Sequence, residues 1–572
     1  MRKRLLVFLL TALAPGALAG ALAAGLIFFL NPDLPLDPEV FVRAVAVYGA
    51  LLGLFGAVVL WPLAWRRPES GRRWLPWAIA VILAAAALLY GAHASSFAYY
   101  LPAAINRRLL RTAVCLAVAA LLWFYTALLH TLQARPYGGR SRVGLLLLTI
   151  AALAVMVERR VSYHPSAAPF ARLSVETPRP VRLCVFGVEA ATLDAVLPLA
   201  EQGQLPFLAD LLQRGSYSRL KTLEPTWRIP VWMTLSTGKY PFKHGLLAPR
   251  MEAVDFLVPG GRLRLIPQWI GFGSWGTLWH PSAASDSSVR KAMSLWEILS
   301  RHGASTGVVA WPGSAPLPEG MHFAVSDRFF GVGGQGENDV RPASAAQALV
   351  ALRPPQEEFA RALAGRFGAR PDSALLTAAA ADRWRESATL QLLGEHAGSV
   401  QTLWLHLRGL GAVSARLFGG YSAARLEGSQ ASSDQRAAQE LTAYYGYVDS
   451  LMSEVVSRAG PFDFIAVVSA HGVSARSGWR RALATFTSSP TSTGQWDDAP
   501  DGLFILSGAG LQPGNLATDA HVADVMPTLL YAMGMPVGDD LDGRVLTGAF
   551  DSAFLARQAL SFVPTYEVAP SP

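Results

Sequence analysis

Five apolar runs crowd the first part of this chain, over residues 5–30, 42–65, 74–92, 112–132 and 143–157. Such runs constrain the fold more than anything else in the sequence. In a bilayer each backbone N–H and C=O must find its partner inside the protein, so a spanning segment of about 20 apolar residues has to be a helix. The first run follows Met1-Arg2-Lys3-Arg4 and contains Ala-x-Ala triplets, as a cleaved signal peptide would. It is longer than the apolar stretch of a signal peptide and more spans follow, so an uncleaved helix is the better reading. The fifth run is short enough to lie in the membrane interface. Its flanking arginines and its apolarity all round favour a fifth span.

Loop charge sets the orientation. The first connection is acidic, whereas Arg66, Arg67, Arg72 and Arg73 crowd the second and Arg135, Arg140 and Arg142 the fourth. By the positive-inside rule these two loops are cytoplasmic, which places the amino terminus inside and everything after an odd number of spans outside. Arg107, Arg108 and Arg111 in the third connection count against this majority. The spans hold almost no internal ionisable residues, which weakens a transporter or channel reading.

Composition agrees with a membrane part joined to a soluble one: 572 residues, 52% hydrophobic and only 16% charged. The net charge of +8 is spread over arginines beside apolar runs. It forms no basic stripe or motif of the kind that grips nucleic acid, so nucleic acid is not an expected partner. Cys115 and Cys184, the only two cysteines, sit in separate apolar runs and offer neither a disulfide framework nor a thiolate metal site. Residues 161–180 carry four prolines and no periodicity, and read as a linker. The expected plan is a membrane domain over 1–160, this linker, an α/β extracytoplasmic domain over 181–550 and a tail over 551–572.

The soluble part is organised around residues 181–246. Residues 181–188 are apolar nearly throughout, as in a strand buried on both faces, and two helical patterns follow before Gly215. A second strand is expected over 218–223, then a tight connection and a short helix opening at Pro230 and closed by Gly238. This order puts Glu189 at a strand's carboxyl end and Arg228 just before a helix amino terminus, where open α/β sheets bind ligands. Residues 260–288, rich in Gly, Trp and Ser, read as an irregular lid, and 342–400 as a mostly helical peripheral segment. Strands are expected at 307–311, 402–410, 464–469 and 502–507, with a long amphipathic helix over 437–458.

The wording of these segments resembles the alkaline phosphatase superfamily, most closely its type I phosphodiesterase/nucleotide pyrophosphatase branch. Gly187-Val188-Glu189-Ala190 stands where that branch has G-x-D-G. Arg228-Ile229-Pro230 through Thr234, Thr237 and Gly238 stands for T-x-P-x-x-x-S/T-x-x-T-G, and Pro241 with His244-Gly245 for P-x-x-H-G. Asp524-Val525-Met526-Pro527-Thr528-Leu529-Leu530 matches its carboxy-terminal D-x-x-P-T-L-L. The resemblance, over residues 181–546, implies an α/β/α sandwich with irregular cap insertions. It also implies phosphoryl chemistry on two divalent metal ions, often zinc, held by a dense Asp/His set beside a Thr or Ser nucleophile.

The reactive letters differ. The first-strand Asp falls on Glu189 and the nucleophile on Arg228, which cannot act as one. The D-x-x-x-H ligands fall on Gly411 and Ala415. The S-D-H-G segment becomes Ser469-Ala470-His471-Gly472, which keeps His471 and loses the carboxylate at Ala470, and the last histidine falls on Asp498. Three ligand-type groups cannot hold two metals, and a guanidinium among them would repel a divalent cation by several kcal/mol at ~4 Å. No metal cofactor and no intact catalytic residue are therefore expected. The plainest reading of Glu189, Arg228, His471 and Asp498 is an ion-paired cluster, with anion binding and residual chemistry as alternatives. His244 and His406 read as structural, and Asp524, near Asp519 and His521, as a helix cap.

The expected function is a membrane-anchored, catalytically inactive family member that binds an active paralogue, a lipid headgroup or an envelope polymer. Its rival is an active phosphodiesterase or headgroup phosphotransferase with a rebuilt site, an architecture that five helices ahead of such a domain also resembles. The topology is testable. A reporter active only outside the cytoplasm should work when fused after Pro180 and stay silent near Ser70, and the reverse pattern would sink the five-span arrangement.

Overall fold

The computed structural model describes residues 2–35, 37–66, 68–135, 137–157, 181–268, 272, 282–331, 336–367, 372–396, 400–476, 493–495, 500–516 and 519–567. The chain forms two compact units, Met1–His164 with Leu247–Ala284, and Pro165–Leu246 with Ser285–Pro572.

The first unit is built on α1 (Arg2–Leu30), α2 (Pro38–Arg66), α3 (Pro68–Ser96), α4 (Ala103–Leu132) and α5 (Gly139–Val157). Among the described residues, α1 to α4 each carry a stretch long and apolar enough to cross a membrane. The fifth expected run does form a helix, of 19 residues. Two glycine pairs let α1 and α2 touch backbone to backbone. A Cβ on Gly16 would lie 2.2 Å from Gly53 Cα, and one on Gly20 2.2 Å from Gly49 Cα. Four-residue spacing puts each pair on one helix face, and small residues there allow the approach that membrane helices rely on.

The lid expected at 260–288 corrects to something else. Leu247–Ala284 belongs to the helical unit and so interrupts the domain expected over 181–550. It contains a three-stranded sheet of Arg250–Ala253, Arg262–Leu263 and Ser282–Ala284. Its Val254, Leu257, Leu263 and Phe272 are buried with Ile27, Phe28, Ala44 and Tyr48. Asn31, buried just past α1, acts as a substitute strand: its Oδ1 accepts from Arg264 N at 2.7 Å and Leu265 N at 3.0 Å, and its Nδ2 donates to Leu265 O at 2.7 Å. His93 Nε2 accepts from Gln268 N at 2.8 Å, and Arg43 reaches Leu257 O at 3.2 Å. These anchors lie where α1 and α3 end and α2 begins, so the segment docks on one end of the bundle.

The second unit is layered on a mixed sheet. Its strands are β1 (Leu183–Val188), β2 (Ser216–Lys221), β3 (Thr306–Val309), β4 (Phe323–Val325), β5 (Val340–Arg341), β6 (Thr402–Leu407), β7 (Phe464–Ser469), β8 (Gly502–Gly508), β9 (Gly514–Asn515) and β10 (Ala520–His521). The order is β9-β2-β8-β7-β1-β6-β3-β4-β5, with β10 also on β2. At the centre β1 runs parallel to β6 and β7, with Val188 beside Leu407 and Gly187 beside Val468. Every residue of β1 and β6 is buried, which explains their unbroken apolar character.

Helices cover the sheet: α6 (Leu193–Glu201), α7 (Pro206–Arg214), α8 (Arg228–Thr237), α9 (Leu295–Arg301), α10 (Ser373–Glu395), α11 (Gly409–Arg425), α12 (Ser432–Ala459) and α13 (Val525–Ala532). The helix α8 begins at Arg228, two residues before the expected proline start, and ends at Gly238 with φ 63°. Asp524 closes a capping box with His521, its Oδ2 accepting from His521 N at 2.9 Å.

The glycine contact makes a prediction. Gly20→Leu should destabilise the detergent-solubilised full chain by about 1–3 kcal/mol, because overpacking must push α1 off α2. Gly144→Leu in α5, whose Cβ position has nothing within 4 Å, should melt as wild type. Equal melting of the two variants in a thermal scan would rule out the α1–α2 contact.

Candidate functional site

At the carboxyl ends of β1 and β6 the chain leaves the sheet and meets the amino terminus of α8. Glu189 is the first residue past β1, with its backbone N–H on Leu407 O at 3.0 Å and its side chain only 4% exposed. The backbone must then turn through a left-handed conformation, which Ala190 adopts at φ 62° where the related motif has glycine. For an alanine this costs about 1 kcal/mol. Glu189 is therefore fixed by the sheet on one side and a tight turn on the other.

Arg228, at the start of α8, donates from Nε to Glu189 Oε2 at 2.9 Å. Its side chain is 24% exposed, and its NH1 stands 4.0 Å from Asp327. Two histidines complete the surround of the carboxylate: His406 Nε2 at 3.4 Å and His471 Nε2 at 3.6 Å. Burial alone would raise the Glu189 pKa; the Arg228 charge and the hydrogen bond from His471 outweigh it and hold the carboxyl well below its usual range. Burial drives the His406 pKa well below the ordinary histidine value, so that ring is neutral. Asp327 goes the other way, raised by burial despite Arg228.

Beneath this cluster lies a dry aromatic floor. Trp232 and Trp311 meet edge to face at 5.4 Å, Trp311 and Trp404 at 5.3 Å, and Trp232 stands over His406 at 4.5 Å. Among the described residues the three buried indole N–H groups have no conventional acceptor, a cost that edge-to-face ring contacts can offset in part. Gly187 is confined here, because a Cβ would lie 2.9 Å from both His406 and Trp232.

The positions singled out in the sequence can now be placed. Glu189, Arg228 and His471 come together. Gly411 lies against them: a Cβ there would be 2.7 Å from Glu189 Cγ, so the longer acid fills space that any side chain at 411 would need. Ala470 is fully buried between β7 and His471. Ala415 lies farther along α11, its carbonyl accepting from Thr493 N at 3.0 Å. Asp498 lies outside the described residues. His244, fully buried, takes Leu246 N on Nδ1 and meets Thr234 Oγ1 with Nε2, both at 3.2 Å, and burial lowers its pKa to about 3. His406, read as structural, instead touches Glu189.

Sequence reasoning missed Asp382 and Arg385. Both sit buried on α10, where Asp382 accepts from Gly409 N at 2.9 Å, Arg408 N at 3.0 Å and Tyr444 Oη at 3.0 Å. The helix carries five charged residues, Asp382, Arg383, Arg385, Glu386 and Glu395, and no periodicity in the sequence marks which of them turn inward.

The sequence model of the type I phosphodiesterase / nucleotide pyrophosphatase family matches residues 183–524, more than half the chain. The chain belongs to this family. Similar solved structures include murine ectonucleotide pyrophosphatase / phosphodiesterase 5, with 10% identity over 62% of this chain and 96% of that one at a TM-score of 0.36. Phosphonate monoester hydrolase from Silicibacter pomeroyi has 14% identity over 65% and 78%, at 0.37. Phosphonoacetate hydrolase from Sinorhizobium meliloti 1021 has 16% identity over 52% and 58%, at 0.31. These likenesses are too distant to transfer residue roles. No curated protein matches the chain.

The metal pair of the phosphodiesterase family does not fit the residues present. Among the described residues no group of three or more His, Cys, Asp or Glu side chains is disposed to hold a metal ion. The Glu189 carboxylate is already neutralised by a guanidinium at 2.9 Å.

That pairing can be measured. Arg228→Ala should cost about 3 kcal/mol, since it strands a buried carboxylate, and Glu189→Gln made in that background should cost far less than it does alone. The folded pKa of Glu189 is depressed. Its stabilisation is therefore complete above the unfolded carboxyl pKa and lost as pH falls through the folded value, so the coupling should shrink in acid. Additive costs at neutral pH would dispose of the pair.

Proposed function

We propose that this chain is a membrane-anchored, extracytoplasmic phosphodiesterase-family protein that has given up turnover and acts by binding an envelope ligand or partner. The observation that carries the reading is the Arg228–Glu189 pair at 2.9 Å, seated where the family's nucleophile and first metal ligand belong by motif. A side-chain hydroxyl on a coordinated metal has no counterpart here. The Arg228 guanidinium fills the nucleophile's place with a permanent charge. Gly411 supports the same reading, because it removes a ligand and lets Glu189 extend toward the arginine. An active paralogue, a lipid headgroup and an envelope polymer remain the partners to distinguish, and the five-span, amino-terminus-inside arrangement supplies the anchoring.

Metal analysis and turnover assays on the purified full chain test this. The expected outcome is no near-stoichiometric zinc or manganese and no hydrolysis of phosphodiester, phosphomonoester or sulfate ester above background. Arg228→Thr alone should restore nothing, since Gly411, Ala415 and Ala470 still leave metals without ligands. Metal-dependent turnover by the wild type would overturn the reading.

A further inference from the structure

Three arginines on separate elements border this pocket: Arg228 pairs with Glu189, whose N–H lies on Leu407 O, and Asp382 joins the Arg408 backbone N–H to the Arg385 guanidinium, while among the described residues several of their side-chain donors are unused. Arg228 spends Nε on Glu189, and its NH1 stands 4.0 Å from Asp327. Arg408, at the junction of β6 and α11, is exposed, and among the described residues its side chain makes no hydrogen bond or ion pair. Arg385, 6% exposed, reaches Asp382 at 3.3 Å through NH1, while its Nε is buried without a partner. The three belong to one electrostatic neighbourhood. Arg228 is the largest influence on Arg408 and depresses its pKa, burial adding to the effect, and both charges also press on Arg385 after burial and Asp382.

Among the described residues the nearby carboxylates do not satisfy these donors. Asp382 is engaged by Arg408 N, Gly409 N and Tyr444 Oη, Glu189 faces Arg228 and two histidines, and Asp327 accepts from Gly313 N at 3.2 Å. The amino termini of α8 and α11, 10 and 17 residues long, add aligned dipoles of the same sign.

We propose that Arg228, Arg408 and Arg385 form a binding site for a tetrahedral oxyanion of the phosphate class. A planar carboxylate is met by one bidentate fork, whereas three forks on separate elements call for an acceptor with oxygens in several directions. The inference rests on the metal-free reading of this pocket and names its ligand. The anion can come as inorganic phosphate or as a phospholipid headgroup.

The test uses the purified full chain in a detergent with a neutral headgroup, with metal content measured on the same preparation. Inorganic phosphate replacing chloride at constant ionic strength should raise the melting temperature saturably. Arg408→Gln should melt as wild type without phosphate and weaken phosphate binding about tenfold or more, while Arg408→Lys, which keeps the charge but loses the fork, should fall between. Mixed micelles of phosphatidic acid or phosphatidylcholine form the second arm. Protection by phosphatidic acid at lower concentration than inorganic phosphate assigns a lipid headgroup, and equal potency assigns phosphate itself. No saturable shift with either ligand, or an unchanged shift in Arg408→Gln, overturns the proposal. Absence of both metal and anion effect removes this inference alone, whereas near-stoichiometric metal removes the reading beneath it.

Discussion

The contact between Arg228 and Glu189 constrains everything else at the sheet's carboxyl edge. A site for two divalent cations carries four positive charges and needs several carboxylates and imidazoles to balance them. One guanidinium supplies a single charge. Once it stands at position 228, it balances the Glu189 carboxylate by itself, and removing either partner would leave a buried charge alone at a cost of several kcal/mol. Gly411 and Ala470 bring no charge of their own to this pair, which supports the proposed reading of the pocket as one in which a guanidinium balances the central carboxylate.

Sterics ties the same residues together. Glutamate is one methylene longer than the aspartate of the motif, and in a pocket floored by Trp232, Trp311 and His406 that length needs room. Gly411 provides it, since even a methyl group there would sit 2.7 Å from Glu189 Cγ. Restoring an aspartate at 411 while Glu189 stays would clash before it could bind anything. The central strand admits no relief from below, because Gly187 already lies in contact with the aromatic floor.

Much of this was legible in the sequence, for identifiable reasons. The strands β1, β6, β7 and β8 are buried on both faces, so apolar runs marked them to within a few residues. The meeting of Glu189 with Arg228 was implied by the family resemblance, which brings these two motif positions together. Asp382 and Arg385 escaped because α10 has no polar face to contrast with its buried one, so periodicity says nothing about which way a charge points. His406 escaped because alternation along a strand fixes a face but not the neighbour across it.

Leu247–Ala284 escaped for a deeper reason. Beside the buried side chains of Val254, Leu257, Leu263 and Phe272, its attachment to the helices runs through backbone groups, the N–H and C=O of Leu265, the N–H of Gln268 and the C=O of Leu257, met by Asn31, His93 and Arg43. Main-chain donors and acceptors are the same whatever the side chain, so that part of the contact shows no pattern to read. What the sequence does hold is the other half of the contact: Asn31 stands just past an apolar helix, with a side-chain amide that offers the same donor and acceptor as a peptide group. At the end of a long apolar helix, where the last carbonyls and the approaching backbone of residues 264–265 must both be satisfied, a buried residue able to imitate a strand on both counts meets the requirement. The unpatterned insertion and the single asparagine thus explain each other, and neither is intelligible alone.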